Sequence, residues 1–99
     1  MWIYLSDSFL SIVKPKGKKD VLLVRARIKK DIQRLFPDAE IIETLLSDYR
    51  YRAFLSVKEV ADAVARQVRG IDYDNFKDSV GGRRHFIYLD VWRATRELK

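Results

Sequence analysis

The sequence predicts an α+β domain built on an antiparallel sheet, and three observations predict it. The stretches 20–28 (DVLLVRARI) and 49–55 (YRYRAFL) alternate apolar and charged side chains one by one. Residues 56–70 instead repeat their apolar positions at three and four behind a Ser-x-x-Glu start. Along the chain, elements of these two periods follow one another as strand, strand, helix, strand, strand, helix, helix.

The bounds agree with one folded unit over residues 1–99. A chain of 99 residues and 11.7 kDa holds a single core. Its 47% apolar and 34% charged residues are ordinary for a globular protein and argue against disorder. There is no cysteine, which excludes a disulfide framework, Cys-ligated zinc and thiol catalysis, so packing must supply the stability. No apolar run approaches the ~20 residues that cross a bilayer. The opening MWIYLSDSFLSIVK lacks a basic start and is interrupted by Ser6, Asp7, Ser8 and Ser11, unlike a signal peptide. The expectation is a cytoplasmic protein with no membrane segment.

Each element then has its own reason. Residues 2–5 and 9–13 are apolar and β-rich, split by Ser6, Asp7 and Ser8, which predicts one bulged strand or a hairpin, and Pro15 and Gly17 punctuate the next turn. In 20–28, Leu22, Val24, Ala26 and Ile28 share one face and Leu23, Arg25 and Arg27 the other, the pattern of a half-buried strand. Ile28, Ile32, Leu35 and Phe36 switch to helical spacing, and Pro37 stops it. Residues 40–46 and 49–55 form the next two strands around Ser47 and Asp48, with Tyr49, Tyr51, Ala53 and Leu55 facing one way and Arg50, Arg52 and Phe54 the other.

The second helix is the clearest. Ser56 and Glu59 form a capping box, Val57, Val60, Ala61, Val64 and Val68 a buried stripe, and Gly70 a left-handed end. Asp72 or Asp74 caps a short turn carrying Phe76 and Val80, which Gly81 and Gly82 break. From Arg83 onward, Tyr88, Val91, Trp92, Thr95 and Leu98 recur at three and four, a final amphipathic helix expected to dock on the body.

One arrangement satisfies this order economically. If strand 20–28 crosses through a helix to strand 40–46, the hairpin partner 49–55 lies between them as in a split βαβ unit, and the N-terminal strand joins the free edge of 20–28. This is a ferredoxin-like antiparallel sheet, permuted so that its extra strand or hairpin comes first, with helices on one face and a C-terminal helix.

That arrangement carries the functional expectation. It gathers Arg25, Arg27, Arg50, Arg52 and Phe54 on the sheet face away from the main helices. Like charges opposite one another on adjacent strands are destabilising, so the cluster calls for an anion or an acid. Arginine forks suit phosphate, and an aromatic among them suits a base. Two bland alternatives stand beside this: Glu40 or Glu43 neutralises the arginines, or the last helix covers them. The net charge of +6 points the same way but is largely local, since Lys14, Lys16, Lys18 and Lys19 all lie in KPKGKK and the rest of the chain carries 6 − 4 = +2. A basic turn tracks a phosphate backbone, or it simply confers solubility and guards a sheet edge.

Catalytic and metal chemistry find little to work with. The single histidine, His85, provides no His pair and suits a helix start, where capping is its ordinary use. DYDNFKD (72–78) fails as a calcium loop, because Lys77 stands where glycine is needed and Arg83 where glutamate is needed. Gly81 and Gly82 have neither the spacing nor the preceding strand of a nucleotide loop, and 80–86 offers only a weak anion site through Arg83 and Arg84. No metal and no cofactor is expected.

GIDYDNFKDSV followed by RRHFIYLDVW resembles the C-terminal signature of a small, uncharacterised bacterial and phage protein family, and DVLLVRARIKKDIQRLFPDAEIIET resembles its middle. The likeness implies an intracellular protein of about one domain and brings no activity. Among the matching positions, Tyr73, Phe76 and Trp92 are expected to pack, while Asp72, Asn75, Lys77 and His85 form a candidate shared site or serve as caps. Three function classes follow: a non-enzymatic binding module for nucleic acid or a nucleoprotein complex; a protein-interaction or inhibitor module, such as a phage antagonist of a host defence complex; and an enzyme using His85 with Asp72 or Asp90. Monomer and homodimer both fit, since an exposed sheet edge can pair.

Overall fold

A computed structural model describes residues 1–99. Five strands, β1 (Trp2–Tyr4), β2 (Phe9–Val13), β3 (Val21–Ala26), β4 (Ile42–Glu43) and β5 (Tyr51–Ser56), form one sheet. Its order is β1-β2-β3-β5-β4 and every pair is antiparallel. Since β3 and β4 both run against β5, they run parallel to each other, as the split βαβ arrangement requires. The order is the one the sequence predicts, and it is compatible with a ferredoxin-like sheet carrying a hairpin at its edge.

Helix α1 (Lys29–Leu35) connects β3 to β4, α2 (Val57–Arg69) follows β5, and a 3₁₀ turn (Lys77–Ser79) leads into α3 (Gly82–Thr95). Alternation decides which side chains meet the helices. Leu10, Ile12, Val24, Ala26, Ala53 and Leu55 project from the central strands onto Ile32 and Leu35 of α1, Phe36 at its C-terminal end, and Val60 and Ala63 of α2, forming the core. The other face has no helix layer of this kind, and there Ser11, Arg25 and Arg52 stand side by side.

The capping box at Ser56 forms as expected: the Ser56 hydroxyl accepts from the Glu59 amide at 3.1 Å and the Glu59 carboxylate accepts from the Ser56 amide at 3.2 Å. Other details differ from expectation for physical reasons. Strand 40–46 shrinks to Ile42–Glu43: the pairing reaches one step further, from the Thr44 amide to the Arg50 carbonyl, and the Ser47 amide then donates to the Thr44 carbonyl at 3.3 Å and turns the chain back. Val57, Ala61 and Val68 are exposed, so the buried stripe of α2 is Val60 and Ala63, with Val64 packed partly buried beside them. Gly70 ends α2 with a φ of −89°, so no left-handed residue is needed there. Ile28 serves as the N-cap of α1 and is half exposed rather than joining the core face of β3.

The last helix departs most. Of its apolar stripe only Tyr88 is buried, while Trp92 and Leu98 stand exposed. Polar contacts dock α3 instead. The buried carboxylate of Asp31, on the first turn of α1, accepts both Arg84 Nη atoms (2.8 and 3.0 Å), Arg34 Nη1 (3.0 Å) and the Phe9 amide (2.9 Å). The Tyr88 hydroxyl donates to the Ser8 carbonyl at 3.1 Å and accepts from Arg84 at 3.2 Å. These contacts tie α1, α3 and the β1–β2 turn at one point.

Burial pushes the phenols of both Tyr88 and Tyr4 above the ordinary tyrosine value. In the unfolded chain tyrosines ionise near pH ~10, while in the folded one they hold their protons longer. The folded state therefore keeps this stability below pH ~10 and loses it as pH rises toward the folded pKa values. Tyr88→Phe should flatten that alkaline loss and also lower neutral-pH stability by about 1 kcal/mol through the missing hydrogen bonds, which melts across pH 7–12 will measure.

Candidate anion-binding face

The outer face is organised by strand register. Trp2, Ser11, Arg25, Arg52 and Ile42 lie directly opposite one another across all five strands, so Arg25 and Arg52 are nearest neighbours. The next row is Val13, Leu23 and Phe54. Two guanidiniums side by side repel, and the neighbours supply only neutral partners: Arg25 Nη2 donates to the Ser11 hydroxyl at 2.7 Å, and Arg52 Nη2 to the Ser47 hydroxyl. The Nε atoms of both arginines are shielded from solvent and meet no acceptor. A purely structural network would put a carboxylate here, because a buried donor left unpaired carries a cost of roughly 1–3 kcal/mol.

The remaining sequence-predicted residues distribute around this pair. Arg27 donates to the Asp48 carbonyl at 2.9 Å, and the guanidiniums of Arg25 and Arg27 lie 4.8 and 4.9 Å from the Tyr49 ring centre. Arg50 alone meets an acid, Glu43, at 3.3 Å across an exposed gap. Thus one of the two neutralising glutamates that the sequence offered is used, on one arginine of four, and Arg25 and Arg52, both half-buried, receive no hydrogen bond or ion pair from α3. At the other end Phe54 is 41% exposed, with Lys18 Nζ 3.7 Å above its ring. The lysine turn, bent at Gly17 with φ +71°, therefore leans onto the arginine face and the two candidate clusters form one surface. Lys14, Lys16 and Lys19 share that turn and, like Lys18, form no ion pair.

Tyr49 was expected on the core side with Tyr51 and Ala53. The chain is not yet in a strand at residue 49, so the alternation does not apply, and the ring lies instead between the two arginines and 6.4 Å from Phe9. Sequence reasoning missed it, as it missed the hydroxyls of Ser11 and Ser47. Ser11 carried a signal, being a polar residue in the apolar strand FLSIV.

The second candidate cluster divides. His85 Nδ1–H donates to the Lys77 carbonyl oxygen at 2.8 Å, and the Asn75 side chain accepts the Lys77 amide at 3.1 Å. Lys77 Nζ lies 3.8 Å over Trp92. Asn75, Lys77 and His85 thus meet, and each bond caps the 3₁₀ turn or fastens it to α3. Asp72 lies apart, in a shallow depression with Ser6, Gln67 and Ile71. Arg84, expected as a weak anion ligand with Arg83, is already held by Asp31, which leaves Arg83 free. No helix of the chain is long and apolar enough to cross a membrane. No family model, no curated protein and no solved structure matches this chain.

Proposed function

We propose that the protein is a non-enzymatic binding module whose outer sheet face takes a polyanionic partner, nucleic acid or a nucleoprotein complex. One observation carries the reading: Arg25 and Arg52 are register neighbours, both partly exposed, with no carboxylate on either. Phosphate oxygens accept from planar guanidinium forks in pairs and remove the mutual repulsion at once. Arg27 and the lysines of the turn, Lys18 among them, extend the positive surface in both directions along the face. Phe54 and Tyr49 interleave it with aromatic rings, the combination on which bases stack in sheet-based readers.

Retention on heparin and binding to labelled RNA and DNA at ~100 mM salt test the reading. Contact with about 3 to 5 phosphates predicts that log K falls with log salt at a slope of roughly −2 to −3.5 on single strands. Binding that is absent, or indifferent to salt, overturns it.

A second reading, a protein-interaction or inhibitor module, is supported by α3, where Phe86, Ile87 and Trp92 stand in water. A stoichiometric protein partner recovered by this chain, and lost with Phe86→Ser, would favour that reading over the first.

A further inference from the structure

A groove of about 600 Å³ adjoins the arginine cluster. Its lining is mainly apolar and aromatic: Trp2, Tyr4 and Phe9 come from the β1–β2 hairpin, Ile28 from the start of α1, and Ile87 and Val91 from α3. Arg27 and Tyr49 belong to both the groove and the arginine face. The charges in it are Arg27, Arg83, Arg84 and Asp31. Asp31 has both oxygens engaged by protein donors, so it presents no free anion, and Arg83 forms no ion pair. The groove is therefore apolar within and positive at its rim, complementary to a flat ring joined to a phosphate.

Trp2 supplies the stacking surface. It is 66% exposed although it stands beside Phe9, with ring centres 6.5 Å apart and planes at 74°. Its row neighbours are Ser11 and then Arg25. Two strand spacings, roughly 10 Å, separate Trp2 from Arg25, which is the reach from a phosphate to the far edge of its own base.

Resting on the polyanion reading above, we propose that this groove receives an unpaired base of a single-stranded nucleic acid whose phosphates lie on Arg25, Arg27 and Arg52. A duplex keeps its bases stacked inside and offers only phosphates, so it gains nothing from the groove. The chain therefore prefers single strands, with little regard to sequence because every base has a π-face.

The test uses the full chain with Trp92→Phe, which leaves Trp2 as the only tryptophan. Uridine and deoxythymidine homopolymers, a duplex of equal length and heparin are titrated separately. Either homopolymer should quench Trp2 fluorescence saturably, and heparin and duplex should not. RNA and DNA strands that quench alike place recognition on the base and phosphate, and a difference between them places it on the sugar within the same groove. Trp2→Ala should weaken single-strand binding about ten- to a hundredfold while heparin elution stays unchanged. Equal affinity for single strands and duplex without quenching, alongside intact heparin retention, overturns the base groove and leaves the polyanion face standing. Loss of heparin retention in the unmodified chain removes both.

Discussion

Asp31→Ala should remove a large share of the stability of this domain. Its carboxylate is 2% exposed and accepts from Arg84 twice, Arg34 once and the Phe9 amide once. Removal leaves the half-buried Arg84 guanidinium without its acid and an amide of β2 without its acceptor. Breaking a buried pair from one side costs about 3–5 kcal/mol, against a total of 5–15 kcal/mol for a whole domain. The melting temperature should then fall by at least ~12 °C. Adding Arg84→Met should recover a substantial part, because the stranded charge is what hurts and a methionine stem still packs against Tyr88. Thermal melts of the single and double variants decide this; a double variant no better than Asp31→Ala contradicts it.

The second large effect has the opposite sign on stability. Arg52→Met keeps the side-chain stem but removes a charge facing Arg25 and an unpaired Nε. It should raise stability by about 1 kcal/mol, or ~4–8 °C in melting temperature. The same change should lower the salt at which the chain leaves heparin and shallow the salt slope by about 1. Gain in stability with loss of binding is what a site held ready for an external anion produces. A structural arginine behaves the other way, since its removal destabilises the fold and leaves heparin retention alone. Melting and elution of one protein preparation separate the two.

Much of the frame was legible because short-range rules set it. Alternation in DVLLVRARI and YRYRAFL placed the core and the arginines on opposite faces, and the order of elements then left one economical strand arrangement. The Ser56 capping box marked the start of α2 for the same reason: it is completed within three residues. What escaped was settled at a distance. The Asp31–Arg84 pair joins residues 53 apart, and nothing near Asp31 distinguishes it from a solvated charge on a short helix. Without that pair, the stripe of α3 read as apolar docking, whereas the helix is pinned by a guanidinium and a phenol and leaves Trp92 and Leu98 outside.

At the candidate site the arginines were readable and their surroundings were not. Tyr49 falls on the outer face only because the chain enters β5 at Tyr51, and period-two reasoning fails two residues outside a strand. The stacking of Lys18 on Phe54 depends on how the Gly17 turn bends, which composition does not specify. Both details strengthen the surface that alternation had picked out.

Arginine Nε–H resonances of the full chain, followed by ¹H–¹⁵N NMR during titration with inorganic pyrophosphate and then with a single-stranded oligonucleotide, report most directly on whether the outer face is an anion site. The signals of Arg25 and Arg52 should move together and saturate, while those of Arg66 and Arg69 on the far helix stay in place. Small, unsaturated shifts spread over every arginine, or changes confined to the Lys14–Lys19 turn, would contradict the account.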